Sequence, residues 1–148
     1  EMMCAKSRLD GYTSALAEHG ISADPELITE GDFTTPGGYA QAISLLENPH
    51  RPTAIFAGSD LQAMGVYEAA RQLGLRIPED LSVVGFDDVQ TASFLDPALT
   101  TVKQPMQDMA RASVRMLVEA LTTDDVLQPH VIMPTSLVVR NSTQQLNQ

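Results

Sequence analysis

Scarcity sets the first limits on this chain. A single cysteine, Cys4, excludes an internal disulfide, and such sparing use of cysteine fits a reducing cytoplasm. The three histidines, His19, His50 and His130, stand too far apart in sequence for a local metal motif, and no cofactor or metal is expected. Positive charge is also short: nine Lys and Arg face 19 Asp and Glu, a formal net charge of -10. A balance of that sign repels phosphate backbones, and the basic residues are scattered rather than gathered in a stripe. The segment is therefore not expected to bind nucleic acid by itself. No apolar run approaches the ~20 residues that span a bilayer, so no membrane partner is expected. No basic start followed by an apolar stretch and a small-residue cleavage site opens the chain. It begins "EMMCAKSR", which is consistent with a start inside a longer polypeptide.

What is present is an ordinary globular balance, 43% apolar and 19% charged over 148 residues, enough for one core. The stretch "SRLDGYTSALAEH" places Leu9, Tyr12 and Leu16 at helical spacing, with Ser7 as cap and Gly20 as stop. "ELITEGDF" reads as a short strand. "TPGGYAQAISLLENP" restarts a helix, with Thr35 capping, Pro36 at its first position, and Tyr39, Ile43 and Leu46 on one face. "TAIFAG" is a continuous apolar run that predicts a strand buried on both faces. Asp60 can cap the next helix, which carries Ala63, Met64, Tyr67 and Ala70 at the expected interval before Gly74 ends it. The turn "RIPED" leads to the strand "LSVVGF". After a long connection, a helix from Pro105 to Leu121 presents Met109, Ala112, Met116 and Ala120, and "HVIMPTSLVVR" closes the chain as extended structure. The tail "NSTQQLNQ" is polar and expected to fray.

Helices and strands alternate at the spacing of right-handed crossovers. The expected fold is α/β, a mostly parallel sheet flanked by helices. In such sheets ligands sit beyond the carboxyl ends of the strands. Phe33, Ser59, Asp60, Asp87, Asp88, Lys103 and Gln104 all fall at such ends. Bland roles exist beside a binding one: Asp60 as a helix cap, and either aspartate of the pair as a ligand of its own turn. A magnesium-dependent phosphoryl enzyme would use acidic residues and a lysine in this way. Its order, an acidic pair, then a phosphoacceptor, then the lysine, is not the order here, because the lone Asp60 precedes the pair. "AGSDLQ" lacks the glycine of a nucleophile elbow and a placed histidine base. The chain does not read as an enzyme.

The stretches "RPTAIFAGSDLQAMGVYEAARQLGLRIPEDLSVVGFDD" and "DPALTTVKQP", with "SRLDGYTSAL" and "GDFTTPGGYAQA" upstream in the same order, closely resemble the effector-binding core of LacI/GalR transcription regulators. The resemblance spans roughly residues 5 to 140. It implies a lobe of the periplasmic-binding-protein-like type, two such lobes closing on a small sugar-like effector, and a separate amino-terminal headpiece that reads operator DNA. Carried over by position, the effector contacts fall on Arg8, Phe33, Ser59, Asp87 and Gln104, with Asp88 organising the turn. Family homodimers imply Met64, Phe94 and Leu95 as interface candidates; Tyr67 reads better as core. By the same resemblance, residues 1–104 are a partial carboxyl-terminal lobe, 105–128 a helical segment belonging to the other lobe, 129–141 the closing strands, and 142–148 the tail. The other lobe, and the first strand of this one, would precede residue 1. The helix from Pro105 would then lack its usual partners, and is expected to be displaced, swapped with a second copy or poorly ordered. A periplasmic sugar-binding protein of a transporter is the rival reading, with the same lobes and no headpiece.

Overall fold

The computed structural model describes residues 3–122 and 130–145. Its elements are α1 (Met3–Glu18), α2 (Thr35–Leu46), β1 (Ala54–Phe56), α3 (Asp60–Gln72), β2 (Ser82–Asp87), β3 (Thr100–Lys103), α4 (Met106–Thr122) and β4 (Ser136–Val138). The strands form one sheet in the order β1-β2-β3-β4. β1, β2 and β3 run parallel, and β4 returns antiparallel to β3. The mostly parallel α/β expectation holds.

The core forms where α2 and α3 pack on each other and α3 packs on β2. Its fully buried members include Ala63, Ala69, Ala70, Leu81, Val83 and Leu99. The two helices touch through glycines. A Cβ on Gly65 would collide with the Thr35 carbonyl oxygen, and one on Gly38 with that of Gln62. Side chains at these positions would push the helices apart. Apolar α2 residues at helical spacing, Ala42, Leu45 and Leu46, are buried by this contact, and Tyr39 and Ile43 pack at its rim.

Helix stops are where the sequence signals placed them. Gly20 and Gly74 have φ of 70° and 69°, and Gly20 sits in the bonds from its own amide to Ala17 and from Ile21 to Leu16 that close α1. The starts differ. Ser7 lies within α1, where its hydroxyl donates to the Met3 carbonyl rather than capping. Thr34, not Thr35, caps α2 by accepting from the Gly37 amide. Ser59, not Asp60, caps α3 by accepting from the Gln62 amide. In both pairs the true cap has the extended backbone that a cap requires.

"ELITEGDF" contains no strand. Pro25–Leu27 forms one 3-10 turn, and the following residues have no ladder partner, because β1 is paired only to β2 among the described residues. Extended propensity without a neighbouring strand does not make a strand. β1 is buried on one face only: Ile55 points into the core, whereas Phe56 is 40% exposed. The long connection after β2 yields a strand of its own, β3, at "TTVK".

The start of the tail is held rather than frayed. The Asn141 amide donates to Ala98, the Val83 amide to Ser142, and the Gln144 amide to the Ser82 hydroxyl. Ser142 is fully buried, its hydroxyl accepting from the Thr100 amide at 2.7 Å and donating to the Val83 carbonyl at 2.6 Å. Polarity is therefore no sign of solvation here, because the polar groups complete β2 and β3.

α4 forms over the expected range but stands off the sheet. Ala112 is its one buried residue; the helix shares a groove with residues 130–135, lined by Met109, Met116 and Met133. Val114, Leu117, Val118 and Leu121 are exposed. The remainder of the segment 105–128 lies outside the described residues.

Candidate functional site

At the carboxyl end of β2 the backbone leaves its relaxed geometry. Asp87 has φ of 118° and Asp88 of 57°, and Phe33 has φ of 60°. Non-glycine residues seldom hold such angles, each at a cost of about 1–3 kcal/mol, and they gather at binding sites. The strained turn directs the two aspartates along different paths.

Asp87 joins the site. Its Oδ1 accepts from the Gln104 Nε2 at 2.5 Å and lies 3.8 Å from Nη2 of Arg8. Register explains the first contact: Asp87 pairs with Lys103 in the ladder, which leaves Gln104 just past the end of β3 and within reach. α1 brings Arg8. Its guanidinium carbon sits 3.9 Å from the centre of the Phe86 ring and 5.4 Å from that of Phe33. Cation and rings attract through the ring quadrupole. α1 has no buried residue, and Arg8 is the side chain by which it meets Phe86, Phe33 and Asp87.

Asp88 turns away from the site. Its Oδ1 accepts from Arg140 at 2.6 Å, and its Oδ2 lies 3.9 Å from Nζ of Lys103. Arg140 also donates to the Leu99 carbonyl. Asp88 therefore binds the closing segment of the chain to the sheet end, rather than simply organising its own turn.

Asp60 lies beneath the site, fully buried, accepting from the Val89 amide at 2.8 Å and the Thr101 hydroxyl at 2.6 Å. A Cβ on Gly85 would collide with Asp60 Oδ1, so the carboxylate needs a glycine on β2 beneath it. Burial raises its pKa above the ordinary carboxylate range, and the charges of Asp87 and Asp88 push it the same way. The bonds from Thr101 and Val89 oppose the rise.

Of the five residues expected to contact an effector, Arg8, Phe33, Asp87 and Gln104 come together. Ser59 is 4% exposed and its hydroxyl is engaged as the α3 cap. Sequence reasoning passed over Phe86 and Gln62. The aromatic immediately before the aspartate pair was the available signal for Phe86. Nothing local marked Gln62, whose buried Oε1 lacks a hydrogen-bond partner among the described residues. Of the interface candidates, Phe94 is 77% exposed, Met64 half-buried, and Leu95 packed against the core. Tyr67 belongs with the core, its hydroxyl donating to the Pro97 carbonyl at 2.8 Å.

Chemically the cluster offers a donor fork, a carboxylate and an amide acceptor, and two aromatic rings. That set suits a small molecule with hydroxyl groups and an apolar face. Among the described residues no group of His, Cys, Asp and Glu could hold a metal ion, and no helix is long and apolar enough to cross a membrane.

The periplasmic binding protein-like domain family matches residues 4–143. The HTH-type transcriptional repressor CytR of Escherichia coli K12 is 39% identical over 146 residues, 99% of this chain and 43% of the relative. The HTH-type transcriptional regulator MalR of Clostridium butyricum is 44% identical over 135 residues, 91% of this chain and 40% of the relative. The chain thus spans less than half the length of these relatives. A solved LacI family regulator from Enterococcus faecium with bound ribose superposes with a TM-score of 0.89 at 29% identity, covering 96% of this chain and 52% of that one.

Proposed function

Because the chain belongs to the periplasmic binding protein-like family, as the effector-binding region of a LacI/GalR-type regulator, we propose that it is the effector-sensing and dimerisation part of a bacterial transcriptional repressor. The effector is a small sugar or sugar-like polyol, held between this lobe and a second one. Arg8, Phe33, Asp87 and Gln104 contact it, and Ser59 supports the helix start beside it. Effector binding shifts an equilibrium between open and closed lobes, which alters the spacing of two headpieces on operator DNA. The headpieces lie outside this chain, the dimer forms through the surface bearing Met64, Phe94 and Leu95, and the regulator works in the cytoplasm.

The observation that carries this reading is the convergence on Asp87. Gln104 donates to it, Arg8 stands beside it between two rings, and these residues come from three separate elements. Each charge-assisted bond to an effector hydroxyl contributes about 1.5–3 kcal/mol. A solute receptor of a transporter would share this geometry, but the matched relatives are named as repressors and regulators.

The test is a thermal-shift screen of sugars and nucleosides on the complete protein, followed by calorimetry. Asp87→Asn and Arg8→Ala are expected to weaken effector binding at least tenfold, about 1.4 kcal/mol, while leaving operator affinity unchanged. An unaltered dose response in both variants removes these residues from the site.

A further inference from the structure

One polar group at the site has unused hydrogen-bonding capacity. Gln62 is the third residue of α3, and its amide is already taken by the Ser59 cap. A glutamine at this position often closes a capping box by accepting from the cap residue's own amide. That bond is not made, and Oε1 of Gln62 is buried without a partner among the described residues.

The carboxamide packs beside the segment that carries Phe33. It lies between two glycines: a Cβ on Gly31 would stand 2.5 Å from Nε2, and one on Gly58 would stand 2.8 Å from Oε1. The same Cβ on Gly58 would touch Cε1 of Phe33 at 3.4 Å, so the acceptor lies near the edge of the ring that flanks Arg8. Phe33 follows a stretch held by no strand ladder and has a positive φ of 60°. A buried acceptor without a donor is uncommon and costly, and it calls for a role.

We propose that Gln62 is a specificity-determining residue of the effector site, its Oε1 accepting a hydrogen bond from a hydroxyl of an effector seated against Phe33. The inference rests on the reading of Arg8, Phe33 and Asp87 as that site, and adds a requirement on the effector: a donor hydroxyl at the edge of its ring-stacked face. An effector lacking that hydroxyl leaves the acceptor unpaired and binds less well.

The test is calorimetry on the complete protein with ribose, maltose, cellobiose and adenosine, followed by the monodeoxy analogues of whichever binds. In the wild type at least one monodeoxy analogue is expected to bind tenfold or more weakly than its parent. In Gln62→Met, which replaces the unpaired acceptor with an apolar chain of similar size, the parent weakens tenfold and that discrimination disappears, while the unliganded Tm is unchanged or higher. Wild-type protein that treats every monodeoxy analogue like its parent overturns the inference. So does a Gln62→Met protein with unchanged affinity, and in both cases the site reading stands. Wild-type protein that binds none of the four overturns both.

Discussion

The Thr101 hydroxyl donates a 2.6 Å hydrogen bond to the carboxylate of Asp60, joining the middle of β3 to the first turn of α3 through the centre of the lobe. The other oxygen of Asp60 takes the Val89 amide, which fixes the turn that strains Asp87 and Asp88. One buried carboxylate thus holds the floor of the site.

Asp60→Ala leaves two donors without their acceptor and is expected to cost about 3 kcal/mol or more in urea unfolding; Asp60→Asn, able to accept from Val89 and donate to Thr101, costs less. The pH dependence has a definite sign. The pKa of Asp60 is raised in the folded state, so the folded protein binds the proton more readily than the unfolded one. Its contribution to stability falls as pH rises through the interval between the ordinary carboxylate value and the raised one, and is flat above. Wild type minus Asp60→Asn, measured by Cm at several acidic pH values, isolates that slope.

Tyr67 makes the corresponding prediction in alkali. Burial raises its phenol from 10.0 to about 12, and its hydroxyl donates to Pro97. The folded state again holds the proton more tightly, so stability falls as pH rises from 10.0 towards 12. Tyr67→Phe lowers stability by about 1 kcal/mol at neutral pH through the lost hydrogen bond. It also weakens the alkaline decline seen by circular dichroism.

Ser142→Ala removes a hydroxyl that serves both the Thr100 amide and the Val83 carbonyl. The expected loss is about 2 kcal/mol, read as a lower Cm with an unchanged m value. A Cm equal to that of wild type contradicts the held tail.

Local signals and long-range ones had different legibility. α3 could be read from its apolar spacing and Gly74, and β2 from an unbroken apolar run, because both are properties of consecutive residues. The cap of α3 was misassigned by one place, since serine and aspartate side by side are both good caps and only backbone geometry separates them. The network role of Asp60 and the Asp88–Arg140 pair were illegible for a related reason. Their partners are 29, 41 and 52 positions away, and sequence pattern is silent at that range. "ELITEGDF" shows the reverse: its composition favours a strand, but pairing decides whether a strand exists. Four of the five residues expected to contact an effector lie together, yet they were named by resemblance, and spacing alone offered only strand ends.

The held tail also dictates how the protein can be attached to a surface. Gln144 lies by Ser82, where β2 begins, whereas Asp87 ends that strand, about 17 Å away at ~3.3 Å per residue. A fluorophore or biotin placed at Gln145 therefore departs from the edge of the sheet remote from Arg8 and Phe33. Sensor-chip measurements made through that end leave the mouth of the site facing the solution.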